Sequence, residues 1–173
     1  MNIFRHRRRA LAGPSLLTLL FTVAGCSSAD DGAAVTVPTP DAKTARICRN
    51  LHEVLPKKLD GRSRNDPEPR SAYTAGWGSP AIILRCGITR PPKMIDPKVA
   101  RGDDPDAIGG GVDGVDWLME KQGDGTLHLT TANREAYVQL VLPGGLTDDS
   151  AAVLTGMAAA VKKAVPVGTA SMT

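Results

Sequence analysis

The residues of this 173-residue chain whose types could do chemistry are Cys26, Cys48 and Cys86, His52 and His128, and the carboxylates Asp103, Asp104, Asp106, Asp113 and Asp116. Cys86 ends the apolar run WGSPAIILRCG, next to Arg85. A cation beside a thiol lowers its pKa and can make it a nucleophile. Neighbours in a strand point to opposite faces, however, so Arg85 is expected to point away from the sulfur. No C-x-x-C occurs. If Cys26 is taken by lipid, Cys48 and Cys86 remain as an even pair, which in an exported domain is expected to form a disulfide. That bond would close a loop of 38 residues, worth about 4 kcal/mol in the loop-entropy account. A redox-active pair is the alternative. His52 and His128 have neither the H-x-x-x-H nor the Cys–His spacing of a zinc site. No G-x-S-x-G marks a nucleophilic serine. The glycine-rich stretch GDDPDAIGGGVDGVD offers Asp103, Asp104, Asp106 and Asp113 to a hard cation such as calcium, but the ligand order and terminal glutamate of an EF-hand are missing. A solvated acidic loop is the plainer reading, so no metal and no cofactor is expected. An enzyme reading would rest on the carboxylates Asp113 and Asp116.

The N-terminus carries a different kind of information. MNIFRHRRR is basic, and the run from Ala10 to Gly25 is uncharged. It is shorter than the roughly 20 residues that a helix needs to cross a bilayer. A basic start, a short apolar run and small residues before a cleavage point describe a secretory signal over 1–25. It ends in Val23-Ala24-Gly25-Cys26, which resembles the lipobox of bacterial lipoproteins, where the cysteine is lipidated. Export by the general or the twin-arginine route is open, since Arg7-Arg8-Arg9 lacks the residues usual after the pair. With Arg5, Arg7, Arg8 and Arg9 removed from the 21 basic residues, 17 stand against 18 acidic ones. The basic character thus belongs to the targeting segment, and no nucleic-acid partner is expected.

These residues need elements to position them. Residues 26–40 read as the lipidated cysteine and a small, polar, proline-containing tether, able to reach about 50 Å when extended. A single domain is expected over 41–165, followed by a free tail over 166–173. Asp41 can cap a helix whose stripe is Ala45, Cys48, Leu51 and Leu55, ended by Pro56. The basic, proline-containing stretch KKLDGRSRNDPEPR reads as a loop, and SAYTAGW as a turn of helix. Residues 81–88 form a buried strand. The stretch 89–111, with its prolines and Gly109-Gly110-Gly111, reads as an irregular loop. Three strands follow as a meander over 115–119, 126–131 and 136–142, the first two joined through the turn Gln122-Gly123-Asp124-Gly125. Asp148 or Asp149 can cap a final helix with Val153, Leu154, Met157, Ala160 and Val161 on its apolar side. The expected fold is α+β: a four-stranded, mainly antiparallel sheet with two helices on one face, in the order α-β-β-β-β-α.

Several of these segments occur in a characteristic order. They are C-x-x-L at Cys48–Leu51, Leu55-Pro56, WGSPAIILRCG, GVDW at Gly114–Trp117, and Arg134-x-x-Tyr137-Val138 before a strand that ends in Leu142-Pro143. Together they resemble the actinobacterial lipoproteins grouped as domain of unknown function 3515, over about residues 46–165. The resemblance implies an envelope lipoprotein of high-G+C Gram-positive bacteria and implies no reaction. The stretch from Asp103 to Gly111 departs from the family in being richer in acid and glycine.

The functional expectation is a lipoprotein held by Cys26 on the outer face of the cell membrane. It would be a non-catalytic binding or assembly module for an envelope protein, glycan or peptide. The two tryptophans are expected in the core by default. If a binding surface exists among the aromatics, it is expected at Tyr73, Trp77, Arg85 and Trp117.

Overall fold

A computed structural model describes residues 35–169. The expected signal peptide, Cys26, most of the tether and the end of the tail lie outside the described residues.

Helix α1 (Ala42–Val54) starts where expected. The Asp41 carboxylate accepts from the Lys43 and Thr44 amides at 2.8 and 3.1 Å, satisfying two donors that the first turn leaves open. It ends at Leu55, which is extended, as the residue before a proline prefers. Strands β1 (Lys58–Leu59) and β2 (Arg62–Ser63) form a small hairpin around Asp60-Gly61, both at positive φ. That is the Asp-Gly hairpin turn, in a stretch expected to be a loop.

The main sheet has six strands: β3 (Thr74–Trp77), β4 (Ile82–Cys86), β5 (Ala107–Val112), β6 (Val115–Lys121), β7 (Leu127–Ala132) and β8 (Val138–Leu142). Their spatial order is β3-β4-β8-β7-β6-β5, every neighbour antiparallel. The expected four-stranded sheet with two helices is therefore corrected to a six-stranded sheet, a separate two-stranded one and three α-helices among the described residues. The four expected strands are β4, β6, β7 and β8, and the two expected helices are α1 and α3 (Ser150–Ala164). Strand β3 replaces the expected helical turn in SAYTAGW. Strand β5 replaces part of the expected irregular loop. Glycine has low strand propensity, and β5 forms because the tight turn Asp113-Gly114, φ +47° and +77°, folds it back on β6. The five-residue α2 (Pro97–Arg101) lies in the same stretch and is capped by Asp96.

On one face of the sheet, Leu84, Leu140, Leu129 and Met119 form a cross-strand row. They pack with Ile47, Cys48 and Leu51 of α1 and with Val153, Leu154, Met157 and Val161 of α3. The β4–β5 connection crosses from the second strand to the far edge, about 19 Å at ordinary strand spacing. It brings Lys93 and Asp104 electrostatically close to Glu120, on the other face. Pro166 and Gly168, expected in a free tail, are hydrogen-bonded to the β7–β8 turn through Glu135 and Asn133.

Candidate functional site

The residues that carry the sequence resemblance meet in pairs, and the pairs hold the fold together. Cys48 and Cys86 are joined as a disulfide, with Cα atoms 5.6 Å apart and each side chain 1% exposed. It pins α1 to β4. Trp77 is fully buried and its indole donates to the Pro56 carbonyl at 2.9 Å, so the WG and LP segments are one contact. The Arg64 guanidinium lies 5.2 Å from the Trp77 ring centroid. Gly87, at φ +82°, has Pro40 and Thr44 where a Cβ would stand, Pro40 at 2.7 Å. Arg134 is buried and donates to the Val165 and Gly114 carbonyls, both at 3.0 Å. It thereby ties GVDW and the β7–β8 turn to the end of α3.

The expected aromatic surface is accordingly not one surface. Trp77 and Trp117 are core residues, 0% and 1% exposed, because the strand register turns both toward the helix-covered face of the sheet. Tyr73 is half-buried and its hydroxyl accepts from Arg49 at 3.3 Å. Arg85 points away from Cys86 as expected, cross-strand from Thr74 and Gln139. Its Nε and the Thr74 hydroxyl are buried without a partner.

The acidic residues are also dispersed. Asp103 pairs with Arg101 at 3.0 Å, and Asp104 pairs with Lys93. Asp113 sits in the β5–β6 turn. Asp116, exposed, accepts from Asn133 at 2.9 Å. A calcium cradle from Asp103, Asp104, Asp106 and Asp113 is thus not assembled, because a two-residue turn carries Asp113 to the far end of the hairpin. No cluster of three metal-ligating side chains occurs among the described residues. Asp113 and Asp116 are both exposed and line neither of the cavities described below.

What the structure does assemble is a groove of about 580 Å³ beside β5. Its apolar floor is Ile108, Met119 and Leu127, on the helix-covered side of the sheet next to the start of α3. Its rim holds Asp104, Asp106, Lys121, Thr126, Asp148 and Ser150. The turn expected at Gln122–Gly125 builds one wall: Gln122 donates to the Thr126 carbonyl at 2.9 Å, and Asp124 accepts from the Thr126 amide and hydroxyl. Start of α3 builds the other. Asp149 occupies its N-cap position but makes no capping bond, and its carboxylate accepts from Arg62 at 3.0 Å instead. A smaller hollow of about 200 Å³ lies between Arg90, Ile95, Asn133 and Tyr137. Sequence reasoning missed the groove because one side of its floor, Ile108, comes from a strand read as a loop. The available sign was Ile108, a large apolar residue set among glycines and aspartates.

Charge at the site follows from local contacts. The Lys93 ammonium holds the Asp104 carboxyl below the usual range, helped by the Asp106 amide. Hydrogen bonds from Thr126 do the same for Asp124. Burial raises Glu120, against the opposing pull of Lys93. Burial lowers both His128 and His52. Asp106 and Asp148 make no ion pair among the described residues.

Comparison with known proteins gives one finding. The family described as a protein of unknown function, DUF3515, matches residues 12–169. No curated protein and no solved structure matches.

Proposed function

The chain belongs to the DUF3515 family, and from that premise we propose that it is a lipid-anchored, extracytoplasmic binding or assembly module of the cell envelope. The observation that carries the reading is the groove beside β5. An apolar floor with a polar, mainly acidic rim is the anatomy of a surface that holds a partner. The thiols are consumed in a buried disulfide, and Asp113 and Asp116, the carboxylates of the enzyme reading, stand exposed on the hairpin away from the groove. Burial of both sulfurs also disfavours thiol exchange, which needs access to the attacked sulfur. The disulfide suits an oxidising compartment, and the segment 1–26 supplies the anchor.

The anchor has a direct test. Cys26→Ala removes the thiol that takes the lipid, and the protein should leave the membrane fraction for the soluble or secreted one. Continued tight retention would refute lipidation at Cys26.

A further inference from the structure

We propose that the free edge of β5 is a docking site for an extended, basic-flanked peptide segment of a protein partner, which adds a seventh strand to the sheet. The proposal rests on the binding-module reading and names its partner class. The two edges of the sheet differ. Beyond β3, Asn65 donates to the Gly76 carbonyl at 2.8 Å, Gly78 donates to Ser63 at 3.0 Å, and Arg64 bridges Trp77. That edge is occupied. No strand pairs with the outer side of β5 among the described residues, although α2 lies in contact with β5. The Lys121 amide bonds the Asp106 carbonyl at 2.7 Å, so alternate residues 108, 110 and 112 turn their amides to β6. Ala107, Gly109 and Gly111 turn theirs outward. Ala107 is buried and its amide is taken by the Asp104 carboxylate, so the exposed Gly109 and Gly111 offer the N–H and C=O pairs that form a template for main-chain pairing.

Natural sheets protect such an edge with lysine, proline, a bulge or a cover. Within Ala107–Val112 there is no charge and no proline, the register with β6 runs without a bulge, and the contact with α2 leaves Ile108, Gly109 and Gly111 exposed. Ile108 is 56% exposed there, on the groove floor. The charges lie at the ends instead. Asp106 precedes the strand and Asp113 follows it; both are exposed and neither has an ion pair among the described residues. This bracket selects the occupant. A second copy paired antiparallel through β5 would set the Asp106 end of one chain against the Asp113 end of the other, a like-charge arrangement that disfavours pairing. A partner strand with cations near both ends is complementary. Asp106 and Asp113 are about 24 Å apart along an extended chain, so the partner's cations should be about seven positions apart.

The test uses the full chain in detergent and an eight-residue peptide with lysine first and last and alternating threonine and valine between. A control peptide carries glutamate at both ends. The lysine peptide should bind at least tenfold more tightly than the control and lose affinity as salt rises. It should also slow amide exchange at Gly109 and Gly111. Gly109→Pro removes one outward donor without touching a β6 bond, and a side chain at that position meets nothing within 4 Å. Ile108→Lys places a cation on the exposed edge. Each should weaken the lysine peptide at least tenfold. Equal binding of the two peptides, no binding, or binding unchanged in both variants overturns the proposal. Dimers that dissociate with Gly109→Pro would replace the basic segment with a second copy. If the peptides fail while discrete envelope proteins still crosslink to other faces of the chain, the binding-module reading survives and only the β5 assignment falls.

Discussion

At the residue scale, two sulfurs and two nitrogens describe how this domain uses its polar atoms. Cys48 and Cys86 are sealed in the core, and the Arg134 guanidinium holds two carbonyls rather than a carboxylate. Such bonds to a buried charged donor are worth about 1.5–3 kcal/mol each. The histidines instead report on acid. Burial holds His52 and His128 below the ordinary imidazole value of 6.5, so the unfolded chain takes up protons first. Their contribution is present above pH 6.5 and is lost as pH falls below it. Asp41, Asp104 and Asp124 are held below 3.8, and their stabilisation is lost further down, as pH falls through those lowered values. Glu120 is raised above 4.5 and opposes the trend, since the folded chain gains as that carboxyl is neutralised. Melting temperature followed from pH 7.5 downward should begin to fall near 6.5. Replacing both histidines by glutamine should remove that first fall; an unchanged curve would show that the histidines are not its source.

At the element scale, what could be read in the sequence depended on how each element is specified. Helices α1 and α3 and strands β6, β7 and β8 carry their own periodicity, so one face of each was visible, and β4 was visible as a continuous apolar run between turn residues. The disulfide was legible by counting thiols. Strands β3 and β5 lack that pattern. All four residues of β3 are buried, so it has no alternation to read, and β5 is half glycine. Both exist through tertiary pairing. Gly76 makes the point for β3: a Cβ there would lie 2.3 Å from the Asn65 carbonyl oxygen. Gly76→Ala should therefore detach residues 64–66 from that edge and cost about 2 kcal/mol, the usual scale of overpacking, measured by urea unfolding. Faster amide exchange at Asn65 should accompany it. Full stability with unchanged exchange would contradict the close approach. The groove was hidden for the same reason as β5, since its floor needs Ile108 beside Met119.

At the scale of the whole molecule, the residues that carry the family resemblance build the frame, and the free edge and groove are lined by other residues. Family membership therefore speaks for the scaffold. In the proposed docking, the partner is selected by Asp106, Ile108 and Asp113, which form no recognisable motif in the sequence. The central claim is that an anchored domain presents this edge to a protein in the envelope. A photo-crosslinking side chain in place of Ile108, in the full lipidated chain in its native envelope, tests it most directly. The account predicts a discrete crosslinked protein whose yield drops at least tenfold when Gly109→Pro is added, with membrane retention unchanged. Crosslinks to lipid alone, or a protein adduct indifferent to Gly109→Pro, would contradict it.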